Sequence, residues 1–120
     1  ANPAGRMNAD LTGQANFRLA GADAVLVQPT GVSTAQVTAA TLGVDFDRSL
    51  FKATVGLQHA SAGATTINVG GKINEEGVFV GTNANERVAG ALTRDGTEAG
   101  YLFSKDVAAG TFRGITLWKR

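Results

Sequence analysis

The chain has 120 residues, of which 43% are hydrophobic and 18% are charged, and its net charge is +1 from eleven basic and ten acidic side chains. This composition predicts one globular domain with a single core, and the near-neutral, interspersed charge argues against a nucleic-acid partner. The chain has no cysteine, which excludes disulfides, thiol chemistry and cysteine-based metal sites.

The first residues differ in kind from the rest of the chain. We predict that residues 1–12 are a linker or a remnant of cloning and that residues 13–120 form a single β-barrel domain. No basic stretch followed by an apolar run opens the chain, and no apolar run approaches the length of about 18 residues that a membrane-spanning helix needs. We expect the chain to be a piece of a larger protein.

From residue 14 onward, apolar and polar residues alternate, and turn residues interrupt the alternation, which is typical of β-strands. Sixteen glycines against two prolines also suit turns, bulges and curved sheets. The predicted strands cover residues 14–19, 38–46, 50–58, 65–73, 78–80, 88–93, 98–104 and 111–118. The dipeptide Asp95-Gly96 is a hairpin signal between the sixth and seventh strands.

Eight strands joined mostly by short turns pair as antiparallel neighbours, and closure of the sheet removes its exposed edges. We therefore predict an all-β fold, an eight-stranded antiparallel up-and-down soluble β-barrel. The opposite face of the strands carries polar side chains such as Asn16, Arg18 and Lys52, which do not suit the lipid-facing side of an outer-membrane barrel. The predicted inward side chains are Phe17, Leu19, Leu42, Val44, Phe46, Phe51, Val55, Leu57, Ile67, Val69, Ile73, Phe79, Leu92, Tyr101 and Phe103.

Residues 20–36 predict the longest connection in the barrel, and an apolar stretch of Val25, Leu26 and Val27 lies within it. Long connections are either functional or disordered. If these three side chains are exposed, they form a patch for a partner, and if they fold over the barrel mouth, they belong to the core. They are the candidate interaction loop, although the core alternative is favoured.

The segment over residues 77–90 combines a short strand, a polar turn and a second strand. We expect Gly81 to let the chain leave its strand at a dihedral angle that a side chain would forbid. Asn83 is expected to cap a short helical turn over residues 83–87 by accepting the N–H of Glu86, and Ala84 would plug one mouth of the barrel. The segment is thus predicted to be scaffold, with a ligand clamp as the alternative.

The same segment resembles the signature of the transferrin-binding-protein-B-like β-barrel, which occurs in bacterial surface lipoproteins and at the C-terminus of FecR-domain-containing envelope proteins. The matching positions are Gly77, Phe79, Gly81, Ala84, Glu86 and Gly90. Weaker resemblance extends over most of residues 13–118, while residues 82–83 and 89–90 depart from the family's usual Gly-Pro and Gly-Gly. The resemblance implies a carrier barrel in the bacterial cell envelope, in the periplasm or on the outer-membrane surface, with partner recognition in loops or in other domains.

The sequence predicts no catalytic residue, no metal ligand and no cofactor. His59, the single histidine, lies at a strand end with no carboxylate or second histidine near it in sequence, so a surface turn position is favoured. Asp45 and Asp47 begin a calcium-loop spacing, but the later acidic positions are missing. Glu75 and Glu76 suit an exposed hairpin tip.

These observations predict a non-catalytic β-barrel module of a larger bacterial cell-envelope protein, with a structural or protein-interaction role. Its partner would be another protein or other domains of the parent chain. The alternative is a barrel that binds a small ligand, haem or another apolar molecule, in its interior.

Overall fold

The computed structural model describes residues 11–120, and within this range the chain forms strands and no helix. The strands are β1 (Gln14–Gln28), β2 (Gly31–Asp45), β3 (Leu50–His59), β4 (Gly63–Lys72), β5 (Val78–Asn83), β6 (Glu86–Leu92), β7 (Glu98–Val107) and β8 (Gly110–Lys119). No candidate for a membrane-spanning helix is therefore found in residues 11–120. The predicted linker over residues 1–12 lies outside the described residues except for its last two positions.

The eight strands form one antiparallel sheet in the order β4-β3-β2-β1-β8-β7-β6-β5. Each hairpin pairs consecutive strands, and the ladder between β1 and β8 joins the two halves of the chain. At the seam between β4 and β5 the described residues form a single isolated bridge, from Ile73 to Phe79. The predicted all-β antiparallel barrel is thus confirmed as a nearly closed barrel.

A tight turn closes the hairpin between β6 and β7 at the predicted dipeptide Asp95-Gly96. Between β6 and β7, the Asp95 carboxylate accepts hydrogen bonds from the Thr93 hydroxyl at 2.8 Å and the Thr97 hydroxyl at 2.7 Å. Hydrogen bonds from Thr97, and then Thr93, hold the pKa of Asp95 below its ordinary value. Gly96 follows with a φ of 68°, a conformation that glycine adopts without strain.

The first hairpin is longer than predicted. Residues 20–36 are not a connection, because β1 continues to Gln28 and β2 begins at Gly31, with Pro29 and Thr30 as the turn. The prediction failed because each strand contains a bulge. Ala20 is the extra residue of β1 opposite β8, and Thr38 is the extra residue of β2 opposite β3. A bulge shifts the alternation by one residue, so neither strand shows one continuous alternating pattern.

The same bulge explains the one predicted inward side chain that is exposed. Leu19 continues the alternation of Ala15 and Phe17, yet it is 42% exposed. Beyond Ala20 the inward positions change parity, so that Ala24 and Leu26 are buried instead.

The remaining predicted inward side chains are buried, apart from Phe46, which is half-buried against the core with the Arg120 guanidinium 5.2 Å from its ring centre. Further large side chains complete the core: Leu26, Val88, Phe112 and Trp118. Buried side chains from all eight strands therefore form one core.

Candidate functional site

The 77–90 motif forms the β5–β6 hairpin and not a helical turn. Asn83 pairs with Glu86 in the antiparallel ladder, which leaves Ala84 and Asn85 as a two-residue turn. Ala84 has a φ of 36° and is exposed, so it plugs neither mouth of the barrel. The predicted helical turn over residues 83–87 is wrong because the ladder runs to the last residue on each side and leaves no residues for a turn of helix.

Two motif glycines lie beneath aromatic rings of the lumen. A Cβ atom at Gly81 would lie 2.4 Å from Cγ1 of Val69, 2.7 Å from the carbonyl oxygen of Gly70 and 3.0 Å from the ring of Phe51. A Cβ atom at Gly90 would lie 2.3 Å from the carbonyl oxygen of Gly100 and 2.7 Å from the ring of Phe79. Neither glycine has a positive φ, so it is space, and not the predicted dihedral freedom, that requires glycine here. Gly77 differs, since its φ of 82° in the β4–β5 turn favours glycine.

Glu86, the glutamate of the motif, links β6 to the edge of β4 and so helps to close the seam of the barrel. The Glu86 carboxylate accepts the backbone N–H of Asn68 at 3.1 Å and forms an ion pair with Lys105 at 2.9 Å. The Lys105 ammonium also donates to the backbone carbonyl of Thr66 at 2.8 Å. Side chains from β6 and β7 thereby satisfy edge groups of β4 that the short strand β5 does not reach.

Tyr101 spans the lumen from β7 to the opposite wall. Its single hydroxyl hydrogen is shared between the backbone carbonyls of Thr41 at 3.3 Å and Thr54 at 3.4 Å, and its ring stacks on Trp118 with 5.6 Å between centroids. The buried Thr116 hydroxyl accepts the indole N–H of Trp118 at 2.7 Å and donates to the Tyr101 carbonyl at 3.2 Å. The middle of the barrel is thus occupied by protein side chains.

The buried phenol predicts a loss of stability in alkaline solution. Burial raises the pKa of Tyr101, whereas in the unfolded chain the group titrates near its ordinary pKa of about 10. Below about pH 10 Tyr101 is neutral in both the folded and the unfolded chain, so its ionisation does not affect stability. Above about pH 10 it ionises more readily in the unfolded chain, and the free energy of unfolding falls by about 1.4 kcal/mol per pH unit. Tyr101→Phe should cost about 1 kcal/mol at neutral pH through the lost hydrogen bonds and should remove this part of the alkaline slope.

Urea unfolding of both forms between pH 8 and pH 11 measures that difference. Because Tyr101 is the single tyrosine, its ultraviolet absorbance reports the ionisation directly. A tyrosine that ionises near pH 10 while the circular dichroism stays native would contradict the prediction.

The wall of the barrel is interrupted between β1 and β2. The ladder joins Phe17 to Leu42 and resumes at Ala24 and Ala35, and no ladder pair links the intervening residues 18–23 and 36–41. Both bulges lie in this gap. Two open grooves of about 430 and 380 Å³ lie on the side of the gap where Phe17 pairs with Leu42. Both grooves have Asn16, Gly43 and Lys52 in their linings. Apolar side chains such as Val44 and Leu50 line these grooves beside the polar side chains of Asn16, Thr41 and Lys52.

The candidate interaction loop is part of strand β1. Leu26 is fully buried, and Val25 and Val27 are half-buried beside it. The loop assignment is wrong because β1 continues through all three residues after its bulge, and Leu26 belongs to the core as part of the barrel wall and not as a cover over its mouth. Contact of Val25 or Val27 with a partner stays a prediction.

His59 lies next to a serine, but the contact has the wrong polarity for catalysis. The Nε2 atom of His59 is 2.7 Å from the Ser33 hydroxyl, while Nδ1 accepts backbone N–H groups from Ser61 at 3.1 Å and Ala62 at 3.3 Å. In the neutral ring the proton therefore resides on Nε2 and is donated to Ser33. A nucleophilic serine needs Nε2 as the acceptor of its proton. This histidine instead connects the β3–β4 turn to Ser33 of β2 through its hydrogen bonds.

The acidic pairs of the sequence lie in turns. Asp45 accepts the backbone N–H of Arg48 at 3.1 Å, and Asp47 accepts that of Gly13 at 3.1 Å. Residues 75 and 76 are exposed in the β4–β5 turn. Among residues 11–120 no group of three or more histidine or acidic side chains could hold a metal ion.

The outward side chains of β5 to β8 form a continuous hydrophobic surface, here called the apolar face. The exposed fractions are 58% for Leu102, 53% for Leu117, 47% for Val80 and 42% for Ile115. The strand registers align these positions in two adjacent rows, Val80, Ala89, Leu102 and Ile115 in one and Val78, Ala91, Gly100 and Leu117 in the other. Exposed apolar side chains that adjoin in this way mark interaction surfaces, whereas scattered ones do not.

A polar row with two arginines borders the apolar face. Thr82, Arg87, Ser104 and Arg113 are aligned across the same four strands, two residues beyond the first apolar row. An open groove of about 340 Å³ joins the two rows, and its lining includes Arg87, Leu102 and Arg113. Within the described part of the chain, neither guanidinium has a hydrogen-bond or ion-pair partner. The sequence analysis missed this surface because its residues come from four strands and become neighbours only once the register is known.

Comparison with known proteins gives no family. No family model matches the sequence, and no curated protein matches it. The resemblance of the 77–90 motif therefore stays a prediction. Among solved structures, one titled "Odorant Binding Protein OBP1" is similar, with 13% identity, a TM-score of 0.42, and alignment over 94% of this chain and 76% of that chain.

Proposed function

We propose that this chain is a non-catalytic β-barrel module that binds another protein through its outer surface. The apolar face is the observation that carries the proposal. Its leucine, isoleucine and valine side chains are exposed side by side, and covering such a surface is the main driving force for most protein association. The lumen, by contrast, is crossed by Tyr101, and the rings of Phe51 and Phe79 pack against Gly81 and Gly90.

The proposal includes a location and a parent. A place in the bacterial cell envelope, as a domain of a larger protein, is supported by the resemblance of Gly77, Phe79, Gly81, Glu86 and Gly90 to the envelope-barrel signature. Absence of catalysis is supported by the tautomer of His59, which leaves Ser33 unactivated. Carriage of haem or another apolar ligand is the competing function, and it would require the lumen side chains to move aside.

Site-specific photo-cross-linking in cells that produce the parent protein tests the proposal. The photoreactive residue is placed at Ile115 on the apolar face, at Gln58 and Asn68 on other parts of the outer wall, and at buried Val55 in the lumen. We expect a discrete protein adduct from at least one outer position and none from Val55.

A thermal-shift panel with haem and fatty acids tests the competing function on the isolated chain. A ligand at a hundred times its Kd adds about 2.7 kcal/mol, which moves the midpoint by several degrees. A shift of that size, without protein adducts in the cross-linking, would replace the interaction module by a ligand carrier.

A further inference from the structure

We propose that the apolar face and its arginine row together dock an acidic peptide segment of a partner protein. Apolar side chains of the segment would cover Leu102, Ile115 and Leu117, and at least one carboxylate would lie over Ser104 between Arg87 and Arg113. The inference rests on the proposed function and adds to it the surface and the chemistry of the partner.

The shape of the apolar face suits the binding of partner side chains. Small residues, Ala89, Ala91 and Gly100, lie among the larger side chains of the two rows. Leu102 stands out at 58% exposure with the groove beside it. A partner side chain can therefore settle into the groove against Leu102 and still reach the arginine row.

The charge of the border specifies an acidic occupant. Arg87 and Arg113 lie on β6 and β8, two strand spacings or about 10 Å apart, with Ser104 of β7 between them. Both guanidinium groups are exposed and have no partner within the described residues. A carboxylate between them would accept charge-assisted hydrogen bonds, and arginine is among the residues most enriched where proteins bind one another.

Two other occupants suit the surface less well. A twofold pair of copies, face to face, would set each arginine row against the same row of the other copy, or against the far border of the face, where Lys119 lies beside Glu98. An anionic membrane surface attracts basic side chains, yet Asp106 and Glu98 also border the face on β7 and are exposed. An acidic peptide needs only the one border row and is therefore the better fit.

Selection of peptides from a random phage-displayed library on the full chain tests the inference without knowledge of the natural partner. We expect the enriched sequences to combine aspartate or glutamate with leucine, isoleucine or phenylalanine. Synthetic versions are then titrated by fluorescence polarisation against the wild-type chain, Leu102→Lys, Arg113→Glu and the control Lys52→Glu. Lys52 is exposed on the opposite wall, so its reversal changes the net charge equally without touching the face.

The expected result is a loss of affinity of about tenfold or more for Leu102→Lys and for Arg113→Glu, and none beyond about twofold for Lys52→Glu. All three positions are exposed, and circular dichroism and melting verify that the variants are folded. Enrichment of basic peptides, no enrichment, or equal binding to all variants would overturn the inference. Peptides that bind with equal affinity to all variants would still leave the interaction module standing with a different surface.

Two parallel measurements identify the rejected occupants. Binding to phosphatidylglycerol vesicles that Leu102→Lys abolishes would replace the peptide by a membrane surface. A sedimenting dimer that Leu102→Lys dissociates would replace it by a second copy.

Discussion

Replacing Gly90 with alanine is expected to be the most damaging single change at the motif, with a loss of about 3 kcal/mol or more in unfolding free energy. The new Cβ atom would lie 2.3 Å from the carbonyl oxygen of Gly100, 2.6 Å from Cβ of Tyr101 and 2.7 Å from the ring of Phe79. Two of these three atoms belong to the backbone or are fixed to it, so β6 and β7 would have to separate. Urea unfolding measures the loss, and the melting temperature should fall by roughly 10 °C.

Gly21→Ala is the matched control for this change. Gly21 also lies within a strand, but no atom lies within 4 Å of the position that its Cβ would occupy. We expect a change within about 0.5 kcal/mol. Equal stability of the two variants would show that the lumen yields to an added methyl group, and the case for a filled lumen would fail with it.

Lys105→Met is expected to cost about 2 to 4 kcal/mol, more than an exposed ion pair and up to the range of a buried one. The change leaves the Glu86 carboxylate, whose side chain is 10% exposed, without a cation, and the Thr66 carbonyl without its donor. Glu86→Gln should cost less, because the amide oxygen still accepts the N–H of Asn68. Chemical denaturation measures both losses.

Lys52→Met is the control for Lys105, since it removes the same ammonium from an exposed position on β3 and should change stability by no more than about 0.5 kcal/mol. Hydrogen exchange supplies a local readout. The amide of Asn68 should exchange faster in Lys105→Met, as the seam loosens, than amides of the β1–β8 ladder do. Unchanged exchange at Asn68 together with unchanged stability would contradict a closing role for the pair.

The strand count and the hairpins could be predicted because inward and outward residues alternate over most of the chain. The alternation of Phe51, Val55 and Leu57 on β3, for example, predicts their burial correctly. The alternation gave the wrong answer where the backbone departs from a regular strand. The bulge at Ala20 exposes Leu19. Together with the bulge at Thr38 it interrupts the alternation, so that residues 20–36 of the first hairpin were predicted to be a loop.

The motif was harder to interpret because its residues serve neighbours that are distant in sequence. A glycine required by space looks the same in the sequence as one required by its dihedral angle, and only the atoms packed against Gly81 and Gly90 in the folded chain distinguish them. Glu86 was expected in the first turn of a helix capped by Asn83, whereas the partners of its carboxylate are Asn68 on β4 and Lys105 on β7. The arginine row and the apolar face depend on strand register in the same way.

The pairing of β1 with β8 has a consequence for how the protein is made. Arg18 pairs with Lys119, so nearly the whole described chain must leave the ribosome before this ladder can form. Until then β1 presents one free edge, and contacts between residues so far apart in sequence form slowly. The nascent barrel therefore has to be kept from pairing with other chains until β8 has been made and the ladder has formed.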